Sequence, residues 1–529
     1  MPASQRIDLT LLAPNASSPL CARLRKLTIS NDVHQNLSLL YFLQSLTRLE
    51  ELNIPECRLD ALACIGHRLT ALRMPTSRHS FFERLGRLEA IEIRNRVDDP
   101  GDVVNSLQAN RATLRSVTLR SCRLTGPLFE ALAACPLLIH LDLFVKPSSY
   151  EGFDLADVPQ DLLDRLESLH LHDLGYDGHQ PLRFPIYSSL RIASPTLRIL
   201  DLELDLGHDA CLTLDCPALE TVTLPLTLPD HSYRLALNCP QMRQMAGLAV
   251  HQELAACQAM PRLSKMSYIK ELFDHSHDDP CLTLGALLSL APSITRLSGV
   301  CFARFNDFTA FLPTAPALRH LHVTVEVPRD GADLFLTADH LESLELFLVP
   351  GDTIVHTIKS IGFRIEAPQL RSFSLTETNP PFRVSTLAVH CRALADLRIS
   401  SLFELTALTL NTAPASLRTF FIDGSPALDP ACLLACLGQH GGLRRVFLGS
   451  LGRCYVTSWP ELAAALGALP RLTELHPAAP QALLRSILVF DETTMRSLVL
   501  DCPLLEELQA PLGAEMERFE LVGAPTCVW

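Results

Sequence analysis

Apolar and polar positions along the chain follow one phrase that keeps returning between residues 114 and 521: a small residue, a proline, then Leu-x-x-Leu-x-Leu. It reads Cys135-Pro136-Leu137-Leu138-Ile139-His140-Leu141-Asp142-Leu143 in one place. Later it is Cys216-Pro217-Ala218-Leu219-Glu220-Thr221-Val222-Thr223-Leu224, then Ala315-Pro316-Ala317-Leu318-Arg319-His320-Leu321-His322-Val323. The last three positions alternate with period two, the mark of a short strand with one buried face. In Leu166-Glu167-Ser168-Leu169-His170-Leu171, the residues Leu169 and Leu171 therefore face a core, while Ser168, His170 and His172 face the other way. The proline has no N–H and a fixed φ, so it ends whatever element ran before it.

Taking the first apolar position of each phrase, the anchors are Leu24, Leu49, Leu69, Leu88, Leu114, Leu138, Leu166, Leu197, Leu219, Met242 and Leu263. They continue through Ile294, Leu318, Leu341, Leu370, Leu394, Leu417, Leu443, Leu472 and Leu505, with residues 516–521 as a last, degenerate copy. Spacings of about 19 to 33 residues mark a stack of repeated units, each too small to bury its own apolar face. Between anchors, residues 37–46, 103–110, 127–134, 431–437 and 461–466 have helical spacing. Residues 211–214, 233–237, 334–336, 382–389, 405–410 and 495–500 instead alternate with period two. Rungs near the ends are thus expected to return by helix, and those in the middle by a second strand. Segments 146–160, 175–189, 270–280, 350–363, 376–383 and 449–460 are rich in Pro, Gly, Asp and Asn and read as loops.

The repeated phrase resembles the leucine-rich repeat. That resemblance implies an α/β solenoid, a horseshoe whose parallel strands line a concave sheet. About twenty irregular repeats occupy residues 21–510, with residues 1–20 as an N-terminal cap and 511–529 as a C-terminal cap or tail. At about 4.8 Å between strands, the inner arc is roughly 95 Å long, enough to hold a folded partner. The stretch Leu114-Arg115-Ser116-Val117-Thr118-Leu119-Arg120-Ser121-Cys122-Arg123-Leu124-Thr125, running on to Cys135-Pro136, resembles the cysteine-containing repeats of F-box proteins. In that family the repeats bind a substrate, and an N-terminal F-box recruits a cullin–RING ubiquitin ligase. Here the first rung begins at Leu24, and no F-box is seen before it.

Composition sharpens the picture. About a hundred of the 529 residues are leucine and only 6% are aromatic, a core of one aliphatic shape repeated. A net charge of −13 excludes non-specific nucleic-acid binding and disfavours anionic lipid surfaces. The longest uncharged run, residues 280–295, is too short to span a bilayer, and residues 1–20 make a poor signal peptide, so no membrane is expected. Seventeen cysteines occur without any Cys-x-x-Cys pair. Cys135, Cys216, Cys239, Cys391 and Cys502 share one repeat position with Ser194, Ala291, Ala315 and Ala367, so that position selects a small buried side chain. A cytoplasmic or nuclear, reducing setting follows; a bridge between neighbouring rungs such as Cys216 and Cys239 is the less favoured alternative.

Two groups of open-face residues stand out. His140, Asp142, His170, His172, Asp201, Glu203 and Asp205 lie on three consecutive rungs and should share one patch. A solvated polar face is the plainest reading; a patch for a basic partner and a divalent-metal site are the alternatives. Phe347, Phe421 and Phe447, with Arg398 and Arg445, have the aromatic-plus-arginine make-up of a binding hot spot; burial of the rings beneath insertions is the equal alternative. His275-Ser276-His277-Asp278-Asp279 reads as loop, and Cys432 with Cys436 as helix core. No phosphate-binding loop, dinucleotide fingerprint, nucleophile elbow or metalloprotease motif is present. The sequence therefore assigns no catalytic, cofactor or metal residue. It describes a non-catalytic interaction scaffold for another protein, basic where it meets the first patch, with a substrate receptor of a cullin–RING ligase as the second reading.

Overall fold

A computed structural model describes residues 23–28, 46–53, 69–74, 85–93, 100–122, 125–145, 158–173, 187–203, 206–224, 234–248, 253–268, 288–302, 304–327, 333–350, 360–377, 384–449, 451, 461–462, 464–477, 487–489, 497–501, 507–509 and 518–522. The chain forms two compact units, Met1–Leu263 and Ser264–Trp529.

In the first unit the rung strands are Lys26–Thr28, Glu51–Asn53, Ala71–Met74, Ala90–Ile93, Ser116–Cys122, His140–Val145, Ser168–Asp173, Ile199–Glu203, Thr221–Thr223 and Gln244–Leu248. Each pairs parallel with the next. Behind them run the helices Pro100–Asn110, Gly126–Ala133 and Gln160–Leu163. Farther along the chain the backing is a four-stranded parallel sheet of Tyr187–Ala193, Leu206–Asp215, Arg234–Asn238 and Glu253–Cys257.

In the second unit the rung strands are Lys265–Tyr268, Arg296–Phe302, His320–Val327, Ser343–Pro350, Ser372–Glu377, Asp396–Ser400, Thr419–Asp423, Arg445–Leu448, Glu474–Pro477, Ser497–Asp501 and Arg518–Val522, again parallel. Their backing is the helix Phe305–Phe311, then the four-stranded sheet Leu334–Thr337, Ile361–Glu366, Val384–His390 and Ala407–Leu410, then the helix Pro430–Gln439. Both units are α/β leucine-rich-repeat solenoids.

The repeated phrase has a local cause. The anchor N–H donates to the carbonyl three residues back, as in Leu138 to Cys135 (3.2 Å), Leu219 to Cys216 (3.0 Å), Met242 to Cys239 (3.1 Å) and Leu318 to Ala315 (3.0 Å). That closes a β-turn with proline at its second position, where a fixed φ near −65° belongs and no N–H is wanted. The small first residue is buried beneath the turn. Its thiol, where it is cysteine, donates to a neighbouring carbonyl: Cys135 Sγ to Ala131 (3.3 Å), Cys216 Sγ to Ile192 (3.6 Å), Cys239 Sγ to Leu214 (3.7 Å). Ser194 occupies the same position and donates to Leu163 at 2.7 Å. Burial pushes the thiols of Cys135, Cys216, Cys239 and Cys391 up, to about 11, 12, 11 and 12, so they are protonated core fillers. Cys216 and Cys239 are both free thiols.

Past the turn, the residue after each anchor donates its N–H to the equivalent carbonyl one rung earlier: Ile139 to Arg115, Glu167 to Ile139, Arg198 to Glu167, Glu220 to Arg198, Arg243 to Glu220. The strand then buries alternate residues, and Leu141, Leu169, Leu200 and Val222 stand in one register column at 4% exposure or less. Every described anchor from Leu49 to Leu472 is buried.

Several elements depart from the sequence reading. Residues 495–500, taken as a backing strand, instead contribute Ser497–Asp501 to the rung sheet between Glu474–Pro477 and Arg518–Val522. The residues explain it: Met495-Arg496-Ser497-Leu498-Val499-Leu500 is itself the repeat phrase with methionine as anchor. The rung assigned to Leu505 accordingly moves behind, where Glu507–Gln509 pairs with Ile487–Val489. Arg518–Val522 continues the rung sheet, as expected of the last, degenerate copy at 516–521. The loops at 175–189 and 350–363 end earlier than expected, because Tyr187–Ala193 and Ile361–Glu366 are backing strands. The helix Phe305–Phe311 was not read from the pattern. Its Phe305, Phe308 and Phe311 are buried with Phe302 in an aromatic cluster of centroid separations 5.5–5.9 Å. Helix Pro430–Gln439 begins as its sequence suggests, with Asp429 Oδ1 accepting from Ala431 N at 3.0 Å and proline in the first turn. Residues 1–20, most of the expected helix at 37–46, His275–Asp279, Asp205 and Cys502 lie outside the described residues.

Leu200 is fully buried between Leu169 and Val222. Leu200→Ala should cost about 2–5 kcal/mol. Because a rung contacts only its neighbours, faster amide exchange should appear first at Leu169 and Val222 and leave Leu52 and Leu72 unchanged; uniform loss of protection would contradict stacking.

Candidate binding site

Parallel pairing in register turns each open-face position into a column of side chains roughly 4.8 Å apart. In the first unit one such column reads Arg73, Glu92, Thr118, Asp142, His170, Asp201, Thr223. The next, two residues along each strand, reads Arg120, Phe144, His172, Glu203. Sequence reasoning put Asp142, His170, His172 and Asp201 in one patch, and the structure brings these four together. His140 is exposed in the column on the other side, in register with Ser116 and Ser168. Glu203 is in register with His172.

The geometry is tight. His170 Nδ1 lies 3.4 Å from Asp201 Oδ2, and His170 Nε2 lies 2.8 Å from Ser168 Oγ. His172 Nε2 stands 3.8 Å from Asp142 Oδ1 and 3.9 Å from Asp201 Oδ2. The imidazole of His172 is only 13% exposed, because the Phe144 ring is stacked on it at 4.5 Å and 12°. Arg120 covers the Phe144 ring, its guanidinium carbon 4.6 Å from the centroid. Phe144 and Arg120 were not singled out from sequence; their signal is position, two residues beyond the Thr118–Asp142–His170 column.

Each titration follows from this packing. Desolvation raises the Asp142 carboxyl, against the pull of His172, His170 and Arg120. The bond to Asp201 raises His170, against desolvation. Burial pushes Asp201 up, but its bond to His170, the two imidazoles and the Thr223 hydroxyl together outweigh burial and leave it below the usual carboxylate range.

The second unit separates the aromatic group into two places. Phe421 and Phe447 are register neighbours, stacked at 4.2 Å and 7°, with His476 following at 6.1 Å from Phe447. Both phenyl rings are half-buried, and Arg398 is exposed in register with Phe421. Arg445, in the neighbouring column, reaches across Thr419 to Asp396 at 3.7 Å. Phe347 lies apart, three strands away and two residues farther along, where it meets His322 at 5.1 Å. Only Phe421, Phe447, Arg398 and Arg445 therefore form a joint surface.

A third pattern went unread in the sequence. The residues after the anchors form a charge ladder, with Arg198 Nε 2.9 Å from Glu220 Oε1 and Arg319 Nε 3.9 Å from Glu342 Oε1. Aligning the chain on its anchors is the signal that finds it. These pairs are solvent-exposed and add register selectivity more than stability.

No family model and no curated protein matches the chain. Among solved structures it is similar to the crystal structure of a TLR13–ssRNA13 complex, at 13% identity and TM-score 0.37, covering 88% of this chain and 70% of that one. It is also similar to a leucine-rich-repeat protein of Leptospira interrogans, at 13% identity and TM-score 0.34, covering 81% of this chain and 91% of that one. The fold itself rests on the strand register given above, which is that of a leucine-rich-repeat solenoid. Among the described residues no helix is long and apolar enough to cross a membrane.

One buried titratable group sits away from both patches. Glu377, the last residue of Ser372–Glu377, is 3% exposed, in register with the core residue Leu348. Its carboxylate oxygens have no hydrogen-bond partner among the described residues. Burial, with the charge of Glu404 adding, raises its pKa from 4.5 to about 7. A carboxyl raised on folding favours the folded state fully below the unfolded value, and that advantage is lost as pH rises through about 7. Glu377→Gln should abolish a loss of about 2 kcal/mol that the natural chain shows between pH 5 and pH 8 in denaturant unfolding. Equal pH dependence in both proteins would mean the carboxyl has a partner.

Proposed function

We propose that this protein is a non-catalytic interaction scaffold that binds a partner protein along the open face of its parallel sheets. One observation carries the reading. Phe421 and Phe447 lie face to face and half-buried on a sheet that has no further layer over them among the described residues, with the exposed Arg398 beside them. An apolar surface held rigid by the backbone loses little freedom on binding, and arginine at its edge supplies directional polar contacts. Buried, protonated thiols in the small-residue column suit a reducing compartment, cytoplasmic or nuclear. The narrower role, substrate receptor of a cullin–RING ligase, rests on the phrase at Leu114–Pro136 alone. Co-purified cullin-ligase adaptor subunits would support it.

Affinity purification of the full chain, read by mass spectrometry, tests the scaffold. A partner recovered with the natural protein should bind the Phe421→Ala/Phe447→Ala variant at least about 30-fold more weakly. Phe335→Ala, 49% exposed on a backing strand, should leave binding unchanged. Undiminished capture by the double variant, or equal loss with Phe335→Ala, would overturn the assignment.

A further inference from the structure

We propose that His170, His172 and Asp201, completed by Asp142, bind one divalent transition-metal ion of the zinc class on the open face of the first unit. The proposal stands apart from partner binding and concerns a different unit from the aromatic surface.

Three observations converge on it. The first is the donor set. One ligand atom each from His170, His172 and Asp201 can be chosen so that all lie within 4.8 Å of one another. Two imidazoles and a carboxylate are the ligands of zinc and its neighbours in the first transition row, whereas calcium and magnesium take oxygen alone.

The second is spacing. With metal–ligand bonds of about 2.0–2.1 Å, the edge of a tetrahedron is about 3.3–3.4 Å. His170 Nδ1 to Asp201 Oδ2 is 3.4 Å, His172 Nε2 to Asp142 Oδ1 is 3.8 Å and His172 Nε2 to Asp201 Oδ2 is 3.9 Å. Small χ rotations close the remaining gaps. The backbone has already done the rest: histidines two apart on one strand share a face, and register places an aspartate on each flanking strand.

The third is polar atoms left over. Asp142 Oδ1 and Asp201 Oδ1 are buried from solvent and accept no hydrogen bond among the described residues. Two carboxylates flanking one strand, each with an orphaned oxygen, are what a dication would satisfy.

The surroundings hold the ligands in place. Ser168 Oγ lies 2.8 Å from His170 Nε2, and its hydroxyl can accept from Nε2–H once an ion takes the Nδ1 lone pair. Phe144, stacked on His172, blocks rotation of that ring and separates it from the Arg120 cation.

The test uses the full chain, stripped with a chelator and dialysed against Zn²⁺, with bound metal counted by mass spectrometry. One ion per chain is expected. His170→Ala and Asp201→Asn should each weaken binding by at least about 100-fold, and Ser168→Ala by about 10–100-fold. Asp201→Asn keeps the side chain's shape, and an unshifted melting curve of the metal-free variant shows that the fold survives. Co²⁺ in place of Zn²⁺ should give visible d–d bands without a sulfur-to-metal charge-transfer band, since no cysteine belongs to the site. Absence of a retained ion, retention unaffected by His170→Ala, or a thiolate spectrum would each overturn the proposal.

Discussion

The structure depends on one constraint: a rung cannot satisfy its own backbone. Each rung strand is only three to eight residues long, and its N–H and C=O groups find partners only on neighbouring rungs. Left unpaired and buried, those groups would each cost more than a hydrogen bond returns. Stacking is therefore obligatory, and the turn of small residue, proline and leucine makes it repeatable. It delivers every chain segment to the same starting carbonyl with the same phase, as the matching contacts of Glu167, Arg198, Glu220 and Arg243 show. A slip of one residue would send His170 and His172 into the core and Leu169 and Leu171 into water. Register is thus held by burial, and the open-face columns follow as a by-product.

Those columns explain why the sequence revealed some things and concealed others. The anchors were legible because a buried leucine recurs at a fixed offset from the turn, and strand backing at 211–214 and 384–389 was legible because its alternation is clean. Ser497–Asp501 was misplaced because Met495 holds the anchor position, and methionine is the less conspicuous occupant of a leucine site. Phe305–Phe311 escaped because a single two-turn helix offers three phenylalanines and little else. At the site, position along a strand was readable and proximity followed from it, which is how Asp142, His170, His172 and Asp201 were found. Orientation was not readable. Whether Phe144 covers His172, or Phe347 turns toward His322 and away from Phe421, depends on χ angles and on which strands are neighbours in the sheet.

A ladder of side chains spaced by less than 5 Å also penalises like charges strongly, since neighbours cannot move apart without breaking the sheet. Most of the chain obeys that rule. The entry column alternates Glu167, Arg198, Glu220 and Arg243, Arg73 meets Glu92 at 2.9 Å, and Arg445 reaches over Thr419 to Asp396. In the central column an imidazole is interleaved between the two aspartates for the same reason.

Lys265 beside Arg296 and Arg418 beside Arg444 are like-charged neighbours, all four exposed so that water screens them, whereas two acid sites are set apart by burial. Glu377 is a carboxyl in a core column with Leu348 beside it, and taking up a proton removes its charge. Asp142 and Asp201 differ because their orphaned oxygens stand beside two imidazoles braced by Ser168 and Phe144. A lone buried acid is explained by packing that tolerates its neutral form. Two acids and two imidazoles sharing one small volume leave negative charge that Arg120, across the Phe144 ring, offsets only in part, and a bound dication would offset the rest.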